Sequence, residues 1–178
     1  ESGISLNQPQ QIVQQCGVGL VKIRIADDGA LAFASPEAVL TPFSDAPISS
    51  ALNSDKLEEQ LPVMVADMGI RWLLVPMKSA EAVLEIKPDA VEFAGLIKKA
   101  NVNGGMPFGP LKGVADGYEG RGLLIEQGSL TEDPVTGSAN ACLARYFQAR
   151  GVELDYVVHQ GTAIQRAGRV TVTYASDG

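Results

Sequence analysis

Glu132-Asp133-Pro134-Val135-Thr136-Gly137-Ser138-Ala139-Asn140 sets an acid pair, a forced turn and a helix start side by side. Pro134 fixes its own φ and biases Asp133 away from helical backbone. Thr136 is the expected N-cap, and Gly137 leaves the backbone bare where a ligand would approach. Ala141, Leu143, Ala144, Tyr146 and Phe147 predict a helix over about 137–150, closed by Gly151 after Arg145 and Arg150. The N–H groups of Gly137, Ser138 and Ala139 then lack intrahelical acceptors and lie at the positive end of the helix dipole. Such a start suits a carboxylate or phosphate, with Asp133 beside it to move a proton. The plainer reading of Asp133 is a helix cap followed by proline.

The elements that must position these residues are mostly strands. Val18 to Ile25 alternates apolar residues with Lys22 and Arg24, Asp27-Asp28-Gly29 turns the chain, and Ala30 to Ala34 returns. The Gln-rich stretch 1–15 reads as a loop or frayed strand. Pro36, Pro42 and Pro47 mark a linker, and a short helix is expected over about 50–60. Val63 to Asp67 and Trp72 to Pro76 form a strand pair, with Trp72 read as core. Ser79 caps a short helix to Leu84. Pro88 to Ala100 predicts an amphipathic helix with Val91, Phe93, Ala94, Leu96 and Ile97 inward. The glycine-rich stretch 101–120 reads as irregular. Leu123 to Glu126, Tyr156 to Gln160 and Val170 to Tyr174 complete the strands. The 137–150 helix is apolar nearly all round, so other structure must wrap it.

Composition narrows the function classes. The chain has 178 residues, 46% hydrophobic and 20% charged, with a net charge of −7. That balance predicts a globular protein and disfavours nucleic acid as a partner. No apolar run is long enough to span a bilayer, and the expected location is cytoplasmic. Neither a metal-ligand spacing nor a nucleotide fingerprint is present, so no cofactor and no metal is expected. Cys16 and Cys142 read as packed thiols, the alternatives being a disulfide or a thiol-dependent racemase. His159, the single histidine, reads as a packed or surface residue.

The nine-residue block resembles the signature of the PhzF-like proteins, which share the diaminopimelate-epimerase-like fold of cofactor-free isomerases and epimerases. The likeness extends through Gln15-Cys16-Gly17-Val18-Gly19-Leu20-Val21, Ile23, Leu31-Ala32-Phe33 and Pro36, then Asp67-Met68-Gly69-Ile70-Arg71-Trp72-Leu73, Ser79-Ala80 and Pro88-Asp89. It closes on Tyr156-Val157-Val158-His159-Gln160-Gly161 and Arg166-Ala167-Gly168-Arg169. The implied fold is α+β, a barrel of mixed and antiparallel strands around a central helix. Residues 1–36 would end the first half-domain, and 37–50 would be a crossover linker. Residues 51–160 would form the second half-domain, and 161–178 would return toward the first.

The resemblance further implies cofactor-independent acid/base proton transfer on a small carboxylated metabolite. Asp133 would serve as acid/base, while Gly137, Ser138, Ala139, Gln160 and Gly161 would bind substrate; Glu132 would only fix the turn. Longer family members carry a catalytic Glu and a Gly-His pair in a region with no counterpart here, so the chain is expected to be incomplete and inactive by itself. A homodimer, or association with a missing first half-domain, follows from the same expectation, and the alternative is a non-catalytic ligand-binding or dimerising module. Asn140 stands where the phenazine enzymes carry His, and Arg121 to Gly128 lacks the family's aromatic and proline.

Overall fold

The computed structural model describes residues 11–16, 19–25, 29, 31–44 and 47–174. Its first strands are β1 (Gln11–Cys16), β2 (Gly19–Ile25) and β3 (Leu31–Phe33). Next come β4 (Val39–Pro42), α1 (Ile48–Leu52), β5 (Met64–Asp67), β6 (Arg71–Pro76), α2 (Ala80–Leu84) and α3 (Ala90–Ala100). Strands β7 (Gly104–Pro110), β8 (Gly117–Gly120), β9 (Gly122–Glu126) and β10 (Ser129–Asp133) then lead into α4 (Gly137–Gln148). The last strands are β11 (Tyr156–Gln160) and β12 (Gly168–Val172).

Strands β1, β2 and β3 form a small antiparallel sheet that lies within residues 1–36. The remaining strands form a mixed sheet in the order β12-β11-β8-β7-β6-β5-β4, beginning inside the expected linker at Val39. Pairs β6–β7 and β8–β11 are parallel, and the others are antiparallel. Along the edge away from β6, β7 is shared: Phe108 to Pro110 pair with β8, and Gly104 and Gly105 with β9. The α+β class is as the resemblance implies. The sheet curls about α4, yet among the described residues β4 and β12 remain its two ends and do not close into a barrel.

Strand alternation divides the core in two. On β6, Leu73 and Val75 join the cluster under α1, α2 and α3, while Trp72 and Leu74 join the cluster around α4. A strand buried on both faces needs this near-continuous apolar run. Residues 139–144, 146 and 147 of α4 are all buried, against β5, β6 and β12. Its rim is tied down as well: Arg145 donates to the carbonyls of Ser35 and Pro36, and the Tyr174 hydroxyl to that of Ala144. The wrapped central helix expected from its composition is therefore present.

Several local expectations give way to tertiary context. Gly104–Pro110 is a buried central strand, not an irregular loop. Glycine is required at 104, where a Cβ would lie 2.5 Å from the Trp72 ring and 2.7 Å from the Leu123 carbonyl, and at 105 a Cβ would crowd Phe93 at 3.1 Å. The prolines at 36–47 do not mark an unstructured linker throughout, since Val39 to Pro42 pair with β5 as an edge strand, where proline is tolerated. The helix expected at 50–60 occupies Ile48–Leu52. Val91 on α3 faces solvent, 81% exposed, rather than the core. β10 extends the strand pairing through Gln127 and Gly128, both at positive φ, a turn suited to hairpins. Gln11–Cys16 is a paired strand. Residues 1–10, Asp27 and Asp28 of the expected turn, and the Cys16 side chain lie outside the described residues.

One charged cluster is buried on the sheet face away from α4. Arg121 donates Nε and Nη2 to Glu132 Oε2 at 3.0 and 2.8 Å, and Nη1 to the Val83 carbonyl at the end of α2 at 3.3 Å and to the Ile86 carbonyl just beyond it at 2.8 Å. Glu119, 2% exposed, belongs to the same cluster. Its carboxyl is pushed above the ordinary range, chiefly by burial and further by Glu132, against the Thr162 hydrogen bond and Arg121. The folded state thus holds this proton more tightly than the unfolded chain, and stability is lost as pH rises through the folded pKa. Glu119→Gln should therefore unfold at higher urea than the parent at pH 7, with the difference vanishing near pH 4. A difference that is equal at both pH values, or reversed, would contradict this assignment.

Candidate active site

Strand β10 delivers its two acids to opposite faces of the sheet. Glu132 is drawn into the Arg121 cluster, so the next side chain, Asp133, falls on the α4 side. Asp133 Oδ1 accepts the N–H of Val135 at 3.2 Å, a local turn across Pro134. Asp133 is therefore not the cap of α4, which is Thr136. The acid stands one turn upstream of the helix, half-buried.

Thr136 is the N-cap by backbone position, yet its hydroxyl caps nothing. Gln160 on β11 explains this. Its Nε2 donates to Thr136 Oγ1 at 2.8 Å and to the Asp133 carbonyl at 3.3 Å, and its Oε1 accepts the N–H of Thr136 at 3.1 Å and Asn140 Nδ2 at 2.9 Å. The amide can face only this way, because reversing it would oppose donor to donor and acceptor to acceptor. Asn140 Nδ2 also reaches the Thr136 carbonyl at 2.8 Å, and its buried Oδ1 meets no partner among the described residues. With the threonine hydroxyl committed sideways, no described residue accepts from the N–H groups of Gly137, Ser138 or Ala139.

Glycines admit the turn to this seat. A Cβ at Gly122 would fall 2.2 Å from Thr136 Oγ1 and 2.9 Å from Gln160 Nε2. Gly161, at φ +81°, packs against Pro134, where a Cβ would meet the Pro134 carbonyl at 2.9 Å. From the small sheet, Phe33 brings its ring to 3.6 Å from a Cβ built on Gly137, forming one wall of the helix start. From β6, Trp72 donates its indole N–H to Ser138 Oγ at 3.0 Å.

The structure thus gathers Asp133, Gly137, Ser138, Ala139, Gln160 and Gly161 around one turn. Their exposures differ. Gly137 and Ser138 are half-buried, whereas Ala139 and Gln160 are fully buried, so Ala139 can offer only its backbone and the Gln160 side chain is already spent on the turn. Phe33 and Trp72 join the site without having been singled out by sequence; a lone tryptophan on a strand reads as core, and nothing local marks its N–H. His159 pairs with Arg169 across β11 and β12, Nε2 to Nη2 at 3.1 Å, away from this turn. Cys142 is fully buried, its thiol pushed up to about 12 by burial, which keeps it protonated and does not favour a thiolate role. No group of His, Cys, Asp and Glu able to hold a metal occurs among the described residues, and none of their helices is long and apolar enough to cross a membrane.

A mixed sheet curled about one buried helix, with an acid in the turn that leads into it, defines the architectural class. The family model for phenazine biosynthesis-like proteins (PhzC-PhzF) matches residues 3–177, and the chain belongs to that family. It is 30% identical over 130 residues to the uncharacterized isomerase YddE of Escherichia coli (strain K12), a match covering 68% of this chain and 42% of that protein. To antisense-enhancing sequence 1 of Schizosaccharomyces pombe it is 26% identical, over 99% of this chain and 64% of the relative. A PhzF-family crystal structure from Bacillus anthracis superposes with TM-score 0.78 at 21% identity, covering 97% of this chain and 63% of the other. A predicted epimerase from Pseudomonas aeruginosa gives TM-score 0.73 at 24% identity, over 95% of this chain and 61% of that one. The chain therefore spans about two-fifths to two-thirds of the relatives it matches.

The seat of the turn can be tested directly. Gln160→Ala strips partners from the Thr136 amide and the Asn140 side chain inside the core, which should cost about 2–3 kcal/mol in urea unfolding. A loss below about 0.5 kcal/mol would show that the glutamine does not hold the turn.

Proposed function

We propose that this region is the anion-holding half of a PhzF-like isomerase or epimerase that moves a proton on a small carboxylated metabolite without a cofactor. The observation that carries the reading is the helix start whose own cap is turned away. The amides of Gly137 and Ser138, with that of Ala139 behind them, are left to a carboxylate oxygen at the positive end of the α4 dipole. Such fixed donors stabilise negative charge that grows on the carboxylate as a proton leaves the adjacent carbon.

In this reading Asp133 gives or takes the proton. Its tie to the Val135 N–H supports the reading by holding the carboxylate in the turn that precedes α4, and Glu132 holds the strand behind it. Gln160 and Gly161 shape the seat: Gln160 is a positioning residue for Thr136, and Gly161 lets Pro134 pack. The resemblance implies a glutamate as the principal base, with Asp133 as its acid/base partner. The isomerase designation of the YddE relative supports the reaction class.

The experiment is solvent deuterium incorporation, followed by proton NMR in deuterium oxide over a panel of small chiral and unsaturated carboxylates. Asp133→Asn should slow incorporation by about 10²–10⁴-fold, the usual weight of a general acid or base. Incorporation at the parent rate in Asp133→Asn would remove Asp133 from the chemistry.

A further inference from the structure

Ser138 is a first-turn residue of α4, and its hydroxyl already has one neighbour. Trp72 Nε1 lies 3.0 Å from Ser138 Oγ, and an indole nitrogen can only donate. A serine hydroxyl has one proton to give and two lone pairs to receive. The indole occupies a lone pair, so the serine proton is left to point elsewhere, and no described residue accepts it. Accepting one hydrogen bond also strengthens the next one donated along the chain.

The indole is not free to turn away from this duty. Trp72 is 1% exposed, between Ala66 on β5 and Gly104 on β7 in the strand register. A Cβ on Gly104 would sit 2.5 Å from the ring, so the bare strand β7 is what seats the indole. Trp72, a core residue, and the glycine strand β7 together form one device behind Ser138.

We propose that Trp72 is a positioning residue that fixes the Ser138 hydroxyl with its proton turned away from the indole, so that the start of α4 favours an anionic oxygen over a neutral group in the same place. This inference rests on the anion-holding role given to that helix start above. A carboxylate offers an acceptor on either oxygen and carries the charge that the helix start favours, whereas the corresponding primary amide is neutral and accepts through its carbonyl alone. The selectivity is thus built by a residue whose side chain lies behind the seat.

Trp72 is the single tryptophan of the chain, so its indole N–H gives one resonance in a proton–nitrogen NMR spectrum. The test is titration of the 178-residue chain with sodium succinate and with succinamide, sodium chloride matching the ionic strength. Succinate should shift the indole N–H and the Gly137 and Ser138 amides saturably, and succinamide should bind more weakly. In Trp72→Phe the two amides should still respond to succinate, with affinity reduced about five- to tenfold, the worth of one hydrogen bond, and with the preference over succinamide diminished.

Ser138→Ala keeps the tryptophan and guards against misfolding of the first variant. Its indole resonance should move in the free protein, and succinate affinity should fall by a similar factor. The double variant should lose no more than either single one, because the pair acts as a unit. Unchanged affinity and preference in Trp72→Phe, or an unmoved indole resonance in Ser138→Ala, would overturn the role of Trp72 while leaving the anion seat standing. Absence of any saturable shift of the Gly137 and Ser138 amides in the parent would instead overturn the anion seat, and this inference with it.

Discussion

Gln160 makes four hydrogen bonds from a fully buried position, and the geometry at the start of α4 depends on them. A helix start is ordinarily satisfied by its own cap. Here a strand from the opposite side of the turn takes the threonine hydroxyl, and the first-turn amides are left for something else. A buried amide with all of its groups paired fixes one orientation, since any other arrangement leaves polar groups unpaired in the core. The cluster therefore defines where the turn sits and which way its donors face.

The rest of the fold serves this turn from two sides. Arg121 ties Glu132 to the end of α2, and strand alternation then places Asp133 on the face of α4. On that face β6 brings Trp72 to Ser138, and the small sheet brings Phe33 to Gly137. Glycines at 104, 122 and 161 make these approaches sterically possible. The charged cluster and the helix start thus lie on opposite faces of one sheet, back to back at the same strand end.

What the sequence made legible follows the range of each signal. Pro134, Thr136 and Gly151 are local punctuation, and the helix they bracket is present as Gly137–Gln148. Ser79 as a cap is likewise local, and its hydroxyl does accept the Ala82 N–H. Thr136 looked like the same case, but a residue 24 positions away took its hydroxyl, which no window of sequence could show. The glycines of β7 were read as loop because their reason is the ring of Trp72 and the helix α3, not the backbone. Val91 failed for the opposite reason: periodicity assigned it to a face that α3 leaves in solvent. The resemblance implies Gln160 and Gly161 as substrate binders; in the structure Gln160 holds Thr136 and Asn140, and Gly161 makes room for Pro134.

A high-resolution crystal structure of the chain grown with sodium malonate tests the central claim most directly. The account predicts a carboxylate oxygen about 3 Å from the N–H groups of Gly137 and Ser138, with Gln160 still bridging Thr136 and Asn140. A threonine hydroxyl turned onto the first-turn amides of its own helix, Gln160 released from it, and malonate absent from that helix start would contradict it.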